Sequence, residues 1–418
     1  MRFGQRGGYT PAEQKRRERL VEGGRAVRGR AAHQYWSAGS ETTGFLSWLS
    51  TAKSSPPSSR TCRLSPSLSS VNSSEVIGSS IATLASMSRR TSREETSLFE
   101  VDLTLGREPV RYTYGFELSD ERVEAEWLHA YPHGRRNIWF DREAGRPDSA
   151  GGEFIFKGEG FKGERDSLVK LTRPNALFLS VGATLNDPQL SVIHRWFLND
   201  LRLVTPGRNL KSSTNSTRAL LMRPDRAEIY EQRIVRLLQP ADLGVTRLDT
   251  DPETGEIRLW HRTPDGGEAP LDFGTEESLG THAWFAFLEP MLTVLDRGSV
   301  LLVDELDSSL HPALAAEVVR AFQDPASNPH NAQVIFTTHD ATLLGSAVLD
   351  RPLNRDQVWI TAKKRSGETE LYPLTDAKPR KEENLERGYL RGCYGGVPRV
   401  TAGEIVRELS WRETKATA

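Results

Sequence analysis

Two cysteines in 418 residues, Cys62 and Cys393, are too few for a disulfide framework or a thiolate metal cluster, and that scarcity fits a reducing cytosol. Long apolar runs are missing too. None approaches the roughly 20 residues that span a bilayer, and no apolar stretch backs the basic N-terminus, so neither a membrane span nor a signal peptide is expected. Charge of one sign is also lacking: 55 Lys and Arg stand against 56 Asp and Glu. The resulting net charge of −1 gives no global basic field for nucleic acid, although a local face for it stays open. A soluble cytoplasmic protein with two or three lobes is expected.

Against these absences stands one legible stretch, Ser299 to Asp340. SVLLV (Ser299 to Val303) is short, apolar and rich in branched side chains, the pattern of a strand buried on both faces of a parallel sheet. It ends in two carboxylates, Asp304 and Glu305, where open α/β sheets place their ligands. A helix-period segment follows (Leu314, Val318, Val319, Phe322), then a turn, then the strand Val334 to Phe336 running into Thr337, Thr338, His339 and Asp340. A strand–helix–strand unit of this length sets the two strand ends side by side. The chemistry suggested is metal-assisted attack of water on a phosphoryl group, with Asp304 holding Mg²⁺ and Glu305 orienting and deprotonating the water. His339 would sense or stabilise the γ-phosphate. The plainer alternative is an α/β core in which Asp304 and Glu305 cap the next helix and His339 is structural.

LLVDE followed by LHP, and then IFTTHD, resemble the Walker B and switch-histidine motifs of ABC-type ATPases of the SMC/RecF-like class. The closest resemblance is to bacterial AAA-family ATP-binding proteins found in phage-defence and abortive-infection settings. Upstream, EESLGTHAWFAFLEPML (Glu276 to Leu292) resembles their ABC signature, with Ser278 and Gly280 at its Ser and Gly positions. Ser278, Gly280 and Thr281 open a helix, and a helix N-terminus with a hydroxyl is an anion site; an ordinary N-cap is the alternative. Downstream, KPRKEENLERGYLRGCYGGVP (Lys378 to Pro398) resembles the closing segment of these proteins. The likeness runs from about Leu98 to Pro398. Two positions depart from the common ABC pattern: Leu279 stands where many members have glycine, and His311 where the usual D-loop has aspartate.

One motif the resemblance requires is absent. No Gly-x-x-x-x-Gly-Lys-Ser/Thr occurs anywhere in the chain. That loop cradles the β- and γ-phosphates with its backbone N–H groups and lysine. Lys53-Ser54 follows no glycine, and Lys211-Ser212 follows Gly207 without a second one, so each reads as a polar turn. Residues 1–97 are rich in Arg, Gly, Ser and Pro without sustained periodicity, and are expected to be disordered or poorly packed. Our hypothesis is that they are a shifted reading frame or a degenerate replacement of the native N-terminus, motivated by the abrupt change of texture at Leu98. Translating the coding DNA in the other two frames tests it, and the frameshift version fails if neither frame holds the loop.

The expected fold class is α/β, an ABC-type P-loop NTPase head with a parallel-stranded core lobe, an antiparallel β lobe and a helical/β insertion. Residues 98–190 read as the β lobe: LFEVDLTL, VRYTYGFEL, VEAEWLHAY, RRNIWFDRE and EFIFKG alternate between turns. Their aromatics read as cross-strand core pairs rather than a base-stacking platform. The glycine-rich FKGEGFKGE lacks a following Lys-Ser/Thr and reads as a loop. LTRPNALFLSVGA and LSVIHRWFLNDLRLV read as helical, and residues 209–217 as a polar linker. Residues 191–270 form the insertion, a lid or arm with one helix and short strands but no sustained heptads. Residues 271–375 hold the signature, Walker B and switch motifs, with a helix over 340–349. Residues 376–418 close the chain. Their basic positions are interleaved with glutamates, which favours a solvated face over a phosphate contact.

The resemblance implies ATP and Mg²⁺ as cofactors and a homodimer that sandwiches ATP between two heads. In it, Ser278, Gly280 and Thr281 would contact the nucleotide bound to the partner. An effector protein or nucleic acid would receive the conformational change. Two other classes compete: a catalytically silent remnant or regulatory partner without its phosphate loop, and a metal-dependent nuclease on Asp304, Glu305 and Asp307. The nuclease is disfavoured because no further acidic strand ends gather a two-metal site.

Overall fold

The structure is a computed structural model that describes residues 44–49, 61–64, 96–106, 108–204, 210–223, 227–241, 244–251, 253–308, 310–345, 352–363, 369–398 and 401–410. Two short strands come first, β1 (Gly44–Leu49) and β2 (Thr61–Leu64), both within the stretch expected to lack sustained structure. An antiparallel meander follows: β3 (Ser97–Leu105), β4 (Val110–Leu118), β5 (Val123–Tyr131), β6 (Asn137–Glu143) and β7 (Phe154–Ile155). With β2 pairing to β3, it forms a six-stranded sheet in the order β2-β3-β4-β5-β6-β7. Period-two patterning decides its faces. Phe99, Val101, Leu103 and Leu105 are buried, while the alternating Glu100, Asp102 and Thr104 are half-buried. At Gly115 the Trp127 ring lies so close that a Cβ would stand 2.3 Å from it, so only glycine fits there.

Three helices, α1 (Arg165–Leu171), α2 (Phe178–Thr184) and α3 (Pro188–Asn199), pack in one apolar cluster with this sheet. Asp187 caps α3 by accepting from the backbone N–H of Gln189 at 3.0 Å and of Leu190 at 2.8 Å. The wholly buried Glu126 of β5 accepts from the N–H groups of Phe178 and Leu179 at the start of α2, and from the Tyr114 hydroxyl. Arg142, 1% exposed, donates to the carbonyls of Arg173, Pro174 and Ala176 and to Glu153. These polar links tie the helices to the sheet.

Next come β8 (Leu201–Val204), α4 (Leu210–Leu221), α5 (Ala227–Leu238) and a three-stranded antiparallel sheet of β9 (Val245–Thr250), β10 (Ile257–Arg262) and β11 (Glu268–Asp272). The core follows: α6 (Leu279–Arg297), β12 (Val300–Val303), α7 (Pro312–Gln323), β13 (Gln333–Thr338), β14 (Val358–Lys363) and β15 (Thr369–Pro373). Two short helices, α8 (Leu385–Leu390) and α9 (Glu404–Ser410), close the described chain.

The core sheet runs in the order β15-β14-β1-β13-β12-β8. β12 is parallel to both β13 and β8, whereas β1 is antiparallel to β13 and β14. β12 is buried on both faces, as its apolar run requires. Val300 and Leu302 pack with the β lobe, and Leu301 and Val303 with α6 and α7.

Three segments differ from the sequence reading. DLRLV reads as the end of a helix, but Asp200 ends α3 and Leu201–Val204 forms an edge strand of the core sheet. A four-residue apolar run is compatible with either period, and pairing with β12 decides for strand. Residues 209–217 read as a linker, but α4 begins at Leu210. Its Ser, Thr and Asn content argues for a loop, yet it packs on α6: Leu220 and Leu221 are buried, and the Thr217 hydroxyl donates to the Phe285 carbonyl. The helix expected over 340–349 is, among the described residues, a 3-10 turn at Ala341–Leu344 ending at Gly345. Residues 346–349 lie outside the described ones.

Candidate functional site

β12 and β13 run in register, Val300 beside Gln333 and Val303 beside Phe336, so their carboxyl ends emerge together. Asp304 and Glu305 leave one strand where Thr337, Thr338 and His339 leave the other. The two ends are joined by side chains. The Thr337 hydroxyl donates to Asp304 Oδ1 at 3.0 Å and accepts the Glu305 backbone N–H at 2.9 Å. The Thr337 carbonyl accepts the Leu306 N–H at 2.9 Å. In the other direction, Asp307 Oδ1 accepts the His339 backbone N–H at 3.1 Å. Beyond β12, the Asp304 N–H donates to the Val204 carbonyl of β8.

Glu305 has φ of 57°, the left-handed region that a residue with a Cβ rarely adopts. Such strain persists where the surroundings over-determine the backbone. Here its own N–H, the next N–H and its carbonyl (accepting from Ser308 at 2.8 Å) are all fixed. Asp304, Glu305 and Asp307 are half-buried and His339 is exposed, so the group faces a solvent-open edge. His311 caps α7, its Nδ1 accepting the Ala313 N–H at 3.2 Å. Past the switch position, Asp340 Oδ1 accepts from the N–H and hydroxyl of Thr342, which turns the chain into the 3-10 segment.

The signature-like residues open α6. Ser278 is its N-cap, its Oγ accepting the Thr281 N–H at 3.1 Å and sharing a hydrogen bond of 2.8 Å with the Thr281 hydroxyl. Ser278, Leu279 and Gly280 are exposed, Leu279 at 76%. Glu277, just before the cap, meets His261 Nε2 of β10 at 2.7 Å, which fastens the three-stranded sheet to this helix end. At its other end α6 stops at Gly298, with φ of 67° and so close to the His330 carbonyl that a Cβ would stand 2.3 Å from it. The chain reverses there, and α6 packs back along β12 and β8. Nineteen helical residues span roughly 28 Å. Four strand residues span roughly 13 Å. On helix and strand rise alone, a helix running back along β12 would carry Ser278 roughly 15 Å past the level of Asp304. The structure brings Asp304, Glu305 and His339 to two adjacent strand ends, while Ser278, Gly280 and Thr281 open α6, a separate element.

Sequence reasoning named Asp307 only in the nuclease alternative and Thr337 only as a strand-end residue, and missed that the two link the strand ends. Thr337 sits in IFTTHD and Asp307 between LLVDE and LHP, but only the strand register shows that each reaches the opposite strand. The oxygen donors here suit a hard cation, with the Asp304 carboxylate already oriented by a hydroxyl. Among the described residues no three His, Cys, Asp or Glu side chains gather into a metal cage. A single carboxylate with phosphate and water is a common way to hold Mg²⁺, so the residues fit that ion.

The phosphate cradle of ATP does not find the same fit. A P-loop follows a strand whose carboxyl end lies beside the Walker B end. In the slot beside β13 stands β1, running the other way: Phe45 pairs with Thr338 and Leu49 with Val334. Its amino end faces the site, and its carboxyl end, Leu49, pairs with Val334 toward the far end of β13. Lys53, Ser54, Lys211 and Ser212 lie outside the residues whose side chains are described.

A family model described as "AAA domain, putative AbiEii toxin, Type IV TA system" matches residues 45–345, nearly three-quarters of the chain. The match starts inside the region of altered composition and ends at the glycine that closes the 3-10 turn after His339. No curated protein matches the chain.

Proposed function

The chain belongs to that AAA-domain family, and we propose that it works as an ATP-hydrolysing head of the ABC-type, SMC/RecF-like architecture. The observation that carries this reading is the convergence of Asp304, Glu305 and His339 on two adjacent parallel strand ends, joined through Thr337 and Asp307. Glu305 would orient the attacking water and take its proton. Asp304 would hold Mg²⁺, which when bound neutralises charge on the phosphoryl oxygens. His339, exposed at the edge, would meet the γ-phosphate.

By helix and strand rise, Ser278, Gly280 and Thr281 would lie roughly 15 Å past the strand ends of their own chain, which supports a role for them across an ATP-sandwiched homodimer. Coupling to an effector or nucleic acid, in a toxin–antitoxin or abortive-infection setting, extends the family description to this chain. Phosphate release from ATP by the whole chain tests the activity. Glu305→Gln is expected to lower turnover by about two to four orders of magnitude, as loss of a general base does. Equal turnover in both proteins would remove Glu305 from the reaction.

A second reading is favoured by a specific observation. With no Gly-x-x-x-x-Gly-Lys in the sequence and β1 antiparallel beside β13, the β-phosphate has no cradle among the described residues. A chain that kept the fold and lost its own nucleotide would be a silent partner, and phosphate release absent from both proteins is its signature.

A further inference from the structure

Resting on the reading of Glu305 as base and His339 as switch, we infer that Thr337 and Asp307 are positioning residues of a reciprocal clasp that makes the two move as one unit. The clasp is built of two hydrogen-bonding arms of opposite origin. From β13, the Thr337 side chain and carbonyl fix Asp304, the Glu305 N–H and the Leu306 N–H. From the turn after β12, the Asp307 carboxylate fixes the His339 N–H. Neither strand end can shift without breaking a bond that the other end supplies.

The left-handed backbone of Glu305 makes the coupling matter for the base. A residue held at φ of 57° returns toward ordinary backbone angles once its N–H is released. The Glu305 carboxylate would then swing away from the strand end. A displacement of His339 pulls on Asp307, two residues beyond Glu305, and through that turn changes where the base points. Tyr389 of α8 lies close enough to Asp307 to feel its charge, and the Glu386 carboxylate lies against Gly345 just past the switch. The closing segment therefore reaches the Asp307 arm through Tyr389 and the turn beyond His339 through Glu386.

Residue-resolved amide hydrogen exchange on the full chain, without nucleotide, tests the clasp. Thr337→Val removes the hydroxyl and keeps the shape, and Asp307→Ala removes the carboxylate from a half-buried position. Each speeds its direct partner trivially, so the informative amides are the crossed ones. Thr337→Val is expected to speed exchange at His339 about tenfold, although the acceptor of that amide is untouched. Asp307→Ala is expected to do the same at Glu305, whose acceptor is likewise intact. Thr337→Ser and Asp307→Asn, which keep an acceptor in place, are expected to stay near the parent rates. Acceleration confined to the direct partner in both variants would overturn the clasp. So would Ser and Asn variants that exchange as fast as Val and Ala. The readout uses no ATP, so it stands apart from whether this chain turns over nucleotide.

Discussion

The strained backbone at Glu305 can be weighed by comparing Glu305→Ala with Glu305→Gly. Both lose the carboxylate and its contacts, so the difference between them is a backbone term. Alanine at φ of 57° keeps the left-handed penalty of about 1–2 kcal/mol that a Cβ brings. Glycine removes it and costs about 0.4–1 kcal/mol through the greater freedom of its unfolded chain. The net is roughly 1 kcal/mol in favour of glycine. Urea unfolding of the two variants measures it: with a slope near 3 kcal/mol per molar, the midpoint of the glycine variant is expected about 0.3 M higher. A midpoint equal to or below that of the alanine variant would refute the strain. A glycine variant more stable than the alanine variant would mark Glu305 as a place where backbone geometry is held at a cost in stability.

Two further perturbations follow from buried and capping groups. Desolvation pushes the Glu126 carboxyl up to about 7 from an ordinary 4.5, against the opposing pull of the Leu179 and Phe178 amides, Arg142 and the Tyr114 hydroxyl. A raised carboxyl favours the folded state when protonated, so its contribution is fully present below about pH 4.5 and is lost as pH rises through 7. The 2.5-unit difference corresponds to about 3 kcal/mol at most. Glu126→Gln is expected to flatten the stability–pH curve between pH 5 and 8, and an unchanged curve would contradict the assignment. At the start of α6, Ser278→Ala is expected to cost about 1 kcal/mol through the lost cap. If Ser278 acts only as a cap, Ser278→Asp keeps turnover. If it meets a partner's phosphate, the added carboxylate abolishes turnover while stability is retained.

Much of the fold is legible because it follows from burial patterns that recur every two or every three to four residues. β3 to β6, α6, β12, α7 and β13 all lie where alternation or helical spacing places them. The failures are physical rather than accidental. Leu201–Val204 is too short to show a period, and its identity comes from pairing with Val300–Val303, about a hundred residues away. α4 is polar in sequence and helical because Thr217, Leu220 and Leu221 fit against α6. At the site, the motif residues Asp304, Glu305 and His339 are readable from strand ends. The roles of Thr337 and Asp307 are not, because a side chain reaching an amide some thirty residues away leaves no periodic trace. Nor does sequence announce the left-handed Glu305, since glutamate is not a residue chosen for that conformation.

Binding of labelled ATP with Mg²⁺ to the purified 418-residue chain, beside its Glu305→Gln variant, tests the central claim most directly. An ATP-hydrolysing head binds in both proteins, and the variant, lacking the base, holds uncleaved ATP for longer. No binding in either protein, with both folded, would contradict the claim. It would leave a chain that keeps the AAA-domain fold, with Asp304, Glu305 and His339 still assembled and nothing to hold a nucleotide before them.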